Sequence, residues 1–430
     1  MLTEVTLENF KSYGVRQSLD LSSMTVLVGA NASGKSNAIE AIRFLSWLAQ
    51  GQSLGSIQYQ VNSADKVVRG VASDLARRGS EKFVLGCRLG VDEWNDLQVA
   101  LEHRPDGFHI VGETVTDTNQ HVPLYDLDQP SEGRNTEAGV GYNNFSRGGR
   151  KPHIRVSDQH AVFTQLVSGA PVAAGHKKSR TVIPMTTRRY EDALSRVLFL
   201  DPVPAKMREY AFPSEARLIG DGSNISAVLY NLCTSTPEAK NEVLNFVRSL
   251  PEQSIADIEF LEEPRGGRML QLVETFGKVR TKYDASLLSD GTLRVLAVAA
   301  AMLSAEHGSL VVIEEIDNGV HPSRARDLLE RIQQVASERG LRVLLTTHNP
   351  ALLDALPLKA VPRVVFCYRD PDDGDSRLVT LEELETYPEL VARGPLGRLL
   401  TAGDLDRAAK RLSTSRPSTR DWLRERIGAA

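Results

Sequence analysis

Apolar residues along this chain gather in short bursts, and each burst is closed by small or polar residues. Leu21–Val28 ends in the run Met-Thr-Val-Leu-Val, which reads as a strand. The segment that follows, NAIEAIRFLSWLAQ, repeats apolar positions at Ile39, Ile42, Leu45 and Leu48, the spacing of one helix face. Leu310–Ile313 and Leu341–Thr347 are further apolar runs of strand type, and LRVLAVAAAML (293–303) reads as a helix. Residues 129–152 carry Gly and Pro throughout, so no heptad rod fits between the two ends. The pattern predicts an α/β fold.

The turn between the first strand and the first helix carries the most specific chemistry. Gly29-Ala30-Asn31-Ala32-Ser33-Gly34-Lys35-Ser36 matches the phosphate-loop pattern in full, with Asn37 opening the helix. Gly29 and Gly34 permit backbone angles and a close approach that a Cβ would block. Loop N–H groups then wrap phosphates while the helix N-terminus faces them. Lys35 is placed to reach the β/γ-phosphates and the Ser36 hydroxyl to bind Mg²⁺.

Three later segments separate the classes of nucleotide enzyme. Leu310-Val-Val-Ile-Glu314-Glu315 is an apolar strand ending in two carboxylates. One is suited to the Mg²⁺ shell and the other to orienting and deprotonating water, because adjacent strand residues point to opposite faces. Ser289-Asp290-Gly291 precedes the 293–303 helix and offers a hydroxyl, backbone donors and the positive end of a helix dipole to a phosphate. The strand Leu341–Thr347 runs into His348, within reach of a γ-phosphate. Each feature alone also has a structural reading: surface acids, an ordinary helix cap, a lone histidine.

Their order resembles an ABC-type P-loop ATPase head, a mixed sheet flanked by helices. No Asn-Lys-x-Asp guanine-reading motif occurs, which counts against a GTPase. LENFKSYG, GANASGKSN, IGDGSNISAVLYNL (219–232), LLSDGT, IEEIDNGVHP and TTHNP together resemble SMC, RecF and OLD-type ATPases over about residues 1–90 and 195–370. The resemblance implies ATP and Mg²⁺ as cofactors. It implies a nucleotide site of Lys11, the loop Gly29–Asn37 and Ser289, Asp290 and Gly291, with Mg²⁺ at Ser36 and Glu314. Catalytic roles then fall to Glu315, Glu314, His348 and Lys35. A Q-loop glutamine is expected as well, with Gln159 and Gln165 as candidates. Departures from the family pattern are Glu314 in place of aspartate, Asp290 where transporters carry glycine, and His321 near the usual D-loop aspartate.

In such heads the Ser-x-Gly segment meets a phosphate loop only across a dimer, so a homodimer of heads is implied. Compact ATPases of this kind without a nuclease domain are familiar from bacterial anti-phage systems such as Septu and PARIS, which implies a separately encoded nuclease or toxin effector. The alternatives are a RecF-like DNA-binding repair ATPase and a transporter ATPase. The LENFKSYG start and LSDGT disfavour the transporter. Arg363–Asp375 superficially looks like a Toprim strand with acids, but its Gly-Asp turn reads as a closing hairpin of the ATPase sheet.

Composition adds limits. The chain has 430 residues, 41% hydrophobic and 25% charged, which speaks against wholesale disorder. A net charge of −4 excludes a coat of basic charge. One segment departs from that background: between Arg147 and Arg189 stand nine Lys/Arg against Asp158 alone. Arg147, Arg150, Lys151, Lys177, Lys178 and Arg180 are therefore nucleic-acid candidates, and a solvated basic face is the competing reading. Cys87, Cys233 and Cys367 lie far apart, MLTEVTLENF has no basic n-region, and the longest apolar run, Val295–Leu303, is too short to cross a bilayer. A cytoplasmic protein without membrane contact is expected. The expected organisation is a first part of the head at 1–90, an inserted or lid region at 91–195, the second part of the head at 196–380, and a helical tail at 381–430.

Overall fold

The computed structural model describes residues 1–57, 67–146, 148, 151–248, 255–318 and 322–415. In chain order the strands are β1 (Leu2–Glu8), β2 (Gln17–Asp20), β3 (Thr25–Val28), β4 (Lys82–Leu89), β5 (Asp96–Arg104), β6 (Gly107–Asp117), β7 (Gln120–Gln129), β8 (Glu137–Tyr142) and β9 (His153–Ser157). They continue with β10 (Leu198–Leu200), β11 (Ile255–Glu262), β12 (Arg268–Phe276), β13 (Val279–Asp284), β14 (Leu310–Ile313), β15 (Arg342–Thr346), β16 (Val364–Arg369) and β17 (Ser376–Thr380).

Among the described residues these strands make three sheets. One has eight antiparallel strands in the order β2-β1-β4-β5-β6-β7-β8-β9. The second has six, β10-β14-β15-β3-β16-β17, parallel except for β17. The third is the small meander β11-β12-β13. The fold is mixed α/β, as the alternation of apolar runs predicts.

The six-stranded sheet is buried on both faces: β3 and β14 are buried at every position, and Thr25 is their one polar residue. Its alternate residues serve two cores. Leu27, Leu310, Val312, Leu344 and Val365 face one that contains the helix Lys35–Ala49 and the eight-stranded sheet. Val26, Val28, Val311, Ile313, Val343, Leu345 and Phe366 face another built with the helices Asp290–Ser304 and Pro322–Glu338. Helix Lys35–Ala49 is therefore wrapped by protein on most sides: Ile39, Ile42, Phe44, Leu45 and Leu48 are all buried.

Pairing continues through the boundary expected at residue 90. β4 and β5 form a hairpin, with Leu85 opposite Val99, and strands β5–β9 extend the sheet that β1 begins. Residues 96–157 thus belong to the same antiparallel sheet as β1 and β4. Arg363–Asp375 does form the closing hairpin, β16 against β17 with Phe366 opposite Val379. Short helices follow at Tyr387–Arg393, Leu396–Thr401 and Asp404–Ser415, and Trp422 lies outside the described residues. Among the described residues no helix is long and apolar enough to cross a membrane.

Candidate functional site

The phosphate loop is shaped by what surrounds it. Gly29 has φ 153°, and a Cβ there would come within 2.2 Å of the Cys367 carbonyl oxygen. Gly34, at φ 122°, would press a Cβ to 2.3 Å from the Ser376 hydroxyl. Both glycines are therefore demanded twice, by backbone angle and by space. The loop is braced from behind: Cys367 Sγ donates to the Ser33 carbonyl at 3.3 Å, Ser376 Oγ donates to the same oxygen at 2.5 Å, and the Tyr13 hydroxyl donates to the Gly34 carbonyl at 3.1 Å. Lys35 folds back over its own loop, donating to the carbonyls of Gly29 (2.7 Å) and Ala30 (3.0 Å). Burial pulls its ammonium below the ordinary lysine value, with Cys367 and Glu315 pulling the other way.

A cleft of about 590 Å³ opens over the loop, lined by Asn31–Asn37, Glu314, Glu315, Thr346, Thr347 and His348, and by Ser12, Ile39, Arg69, Asp201 and Arg369. The acids arrive because β14 ends beside β15 and β10. The Glu314 N–H donates to the Leu200 carbonyl at 3.1 Å, and the Glu315 N–H donates to the Thr346 hydroxyl at 2.9 Å. Glu315 holds a left-handed backbone at φ 46°, a conformation that costs a non-glycine residue on the order of 1 kcal/mol. Its carboxylate accepts from Asn318 at 2.7 Å. Glu314 is half-buried and pairs with Arg43 at 3.1 Å, one helix face along from Ser36. Burial still pushes its carboxyl above the ordinary range, Arg43 opposing and Asp201 adding to the shift. His348 is exposed, and its Nδ1 stands 3.8 Å from the buried Asp317 carboxylate.

Ser36 and Glu314 thus line one cleft with hard oxygen donors, a set that suits Mg²⁺ carried in with a polyphosphate.

Other expected residues lie elsewhere. Lys11 does not line the cleft; its ammonium is held by the buried Glu40 carboxylate and by the Arg69 carbonyl at 2.8 Å. Gln159 and Gln165 are also absent from the cleft. Gln159 Nε2 donates to the Phe108 carbonyl at 3.1 Å, and Gln165 closes a loop on Ser157 and His160, so both are occupied by local structure. Ser289 caps its helix by accepting from the Thr292 N–H at 3.1 Å, and Asp290 pairs with Arg208 at 2.7 Å on the surface. With Gly291 they sit outside the cleft. Lys177, Lys178 and Arg180 stand on the exposed face of the helix Lys177–Ser195, with Lys151 half-buried nearby in sequence. Arg147, Arg150 and His321 lie outside the described residues.

Sequence reasoning missed Ser12, Arg69, Asp201, Thr346, Thr347 and Arg369 as lining residues. Ser12, Thr346, Thr347 and Arg369 lie inside LENFKSYG, TTHNP and Arg363–Asp375, whereas Arg69 and Asp201 belong to no motif.

Residues 1–103 match the family model described as "AAA ATPase domain", and residues 177–354 match "AAA domain, putative AbiEii toxin, Type IV TA system". The chain is 24% identical over 146 residues to methionine import ATP-binding protein MetN 1 of Rhodococcus jostii, a match spanning 32% of this chain and less than half, 43%, of that protein. It is 19% identical over 362 residues to an ATP/GTP phosphatase of Helicobacter pylori, covering 83% of this chain and 87% of that one. The SMC head domain from Thermotoga maritima covers 88% of this chain and 98% of its own at 16% identity and a TM-score of 0.38. An SMC head bound to the C-terminal domain of ScpA derived from Pyrococcus furiosus covers 91% and 99% at 14% identity and a TM-score of 0.48. The two family matches fall on the two stretches that supply the cleft's loop and its acids, so the chain is similar to AAA-type ATPase domains in both.

Proposed function

We propose that the chain binds ATP with Mg²⁺ in the cleft over Gly29–Ser36, hydrolyses it, and uses the cycle to open and close a homodimer of heads. The observation that carries this reading is spatial. Loop, acids and His348 line one cleft, while Ser289, Asp290 and Gly291 cap a helix outside it. A complete site then needs the Ser-x-Gly segment of a second copy. In this reading Lys35 exchanges the carbonyls of Gly29 and Ala30 for the β/γ-phosphates, and loop N–H groups hold the remaining oxygens. Ser36 and Glu314 would hold Mg²⁺, which would supply neutralisation of the charge developing on the transferred phosphoryl group. Glu315, fixed by Thr346 and Asn318, orients and deprotonates the attacking water. His348 faces the γ-phosphate.

The output we propose is control of a separately encoded nuclease or toxin in anti-phage defence, which rests on the resemblance in motif order and is family analogy. A second reading, a RecF-like DNA-binding repair ATPase, has its own support. Lys177, Lys178, Arg180, Arg188 and Arg189 share the exposed face of one helix, and among the described residues none has a carboxylate at ion-pair distance. The test is purification of Glu315→Gln protein with its native neighbouring genes in ATP. The proposal expects a stable dimer, turnover lowered on the order of a hundredfold, and a stoichiometric nuclease or toxin partner. Undiminished turnover refutes Glu315 as base, and a homodimer holding only DNA favours repair.

A further inference from the structure

The cleft has two walls, and only one holds the acids. β3 leads into the phosphate loop between β15 on one side and β16 on the other. At the end of β15 stand Thr346, Thr347 and His348, with Glu314 and Glu315 just past the neighbouring β14. Beyond β16 lies Arg369, exposed and lining the same cleft, with Ser12 beside it. Phe366 pairs in register with Val28, so Arg369 leaves its strand alongside the first residues of the loop.

Arg369 is kept free for a ligand by its neighbours. Four aspartates follow it within six residues, yet among the described residues none is at ion-pair distance from its guanidinium. Arg377 takes Asp370 (3.3 Å), Asp373 (2.6 Å) and Asp375 (3.6 Å), and Arg77 takes Asp375 again at 2.7 Å. Among the described residues, what holds the Arg369 guanidinium is a single donation to the Ser376 hydroxyl at 3.2 Å. That hydroxyl's own proton goes to the Ser33 carbonyl, and its oxygen also lies 2.7 Å from the Ser12 hydroxyl, which accepts from Asn37. The guanidinium is thus tethered to the rim of the phosphate loop, and among the described residues most of its donors are unused.

We propose that Arg369 binds the part of the nucleotide that ATP and ADP share, the α-phosphate and the nucleoside, on the side of the loop away from Glu315. The inference rests on the cleft being a nucleotide site. A guanidinium has the fork for a phosphate and a flat face for a purine. Arg369 therefore contributes to affinity without distinguishing substrate from product.

Calorimetric titration of the full chain with ADP and with a non-hydrolysable ATP analogue tests this. Arg369→Ala weakens both ligands by one common factor, roughly tenfold or more for a lost charge-assisted bond. Arg369→Lys, which keeps the charge and loses the fork, falls between. The nucleotide-free melting temperature stays at the wild-type value. Affinities equal to wild type, or a loss confined to the ATP analogue, overturn the assignment. Lys35→Ala separates the two layers of argument: if it binds both nucleotides normally, the nucleotide-site reading itself fails. If Lys35→Ala loses both while Arg369→Ala binds normally, only the role of Arg369 fails.

Discussion

The six-stranded and eight-stranded sheets handle polar side chains in opposite ways. At the ends of β3, β14, β15 and β16, charged groups face open space: Lys35, Glu315, His348 and Arg369 line a cleft. In the eight-stranded sheet, polar groups close on one another. Asp158, wholly buried, accepts from Ser131 and Gln159 and meets His109 Nδ1 at 2.7 Å, and Arg104 holds Ser131 from outside. This Ser, His and Asp set is not a nucleophilic relay, because the aspartate lies between the other two and His109 contacts Asp158, not Ser131. Glu113 is closed in the same way, accepting from the Tyr125 hydroxyl and from the N–H groups of Val162 and Phe163, each at 2.7 Å. Residue type alone does not mark a site; what marks one is a polar group with unused capacity facing a space a ligand can enter.

If that contrast is right, Glu113 matters for folding and not for turnover. Burial pushes its carboxyl up to about 7, against the pull of its three donors, from 4.5 in an unfolded chain. Between those values the folded protein keeps a proton that the unfolded chain has released, so stability falls as pH rises through this window and is lowest above it. The effect amounts to at most ~3 kcal/mol. Glu113→Gln flattens that part of the melting-temperature profile while ATP turnover stays at the wild-type rate. A profile as steep as wild type breaks the comparison.

A smaller effect is expected on the basic helix, which borders the eight-stranded sheet without belonging to either polar pattern. Replacing Lys177, Lys178 and Arg180 by Ala weakens DNA binding evenly across sequences and lowers its salt slope by about one unit per lost phosphate contact. Fluorescence anisotropy over a salt series measures both. If neither changes, the segment is a solvated face and the repair reading loses its main support.

Legibility in the sequence divides along the same line. The phosphate loop, Glu314, Glu315 and His348 are readable because strand, turn and helix are contiguous, so spacing alone places their side chains. Asp201 and Arg69 were invisible because packing brings them to the cleft: Asp201 follows a three-residue strand. Gln159 and Gln165 looked available only because sequence does not display local hydrogen bonds. β5–β9 fall in the expected inserted region because the motifs that carry the resemblance cover only about residues 1–90 and 195–370, and Gly and Pro run through 129–152. Gly139 has a packing reason instead: a Cβ there would lie 2.7 Å from the Gln129 side chain.

The central claim is that the cleft is completed by Ser289 of a second copy. Its most direct test is ATP turnover in a mixture of two inactive chains, Lys35→Ala and Ser289→Arg. Only a mixed dimer places an intact phosphate loop opposite an intact Ser289, so the account predicts that mixing restores about half of the per-site turnover in each mixed pair. A mixture as inactive as its two components, with mixed dimers demonstrably formed, would contradict it.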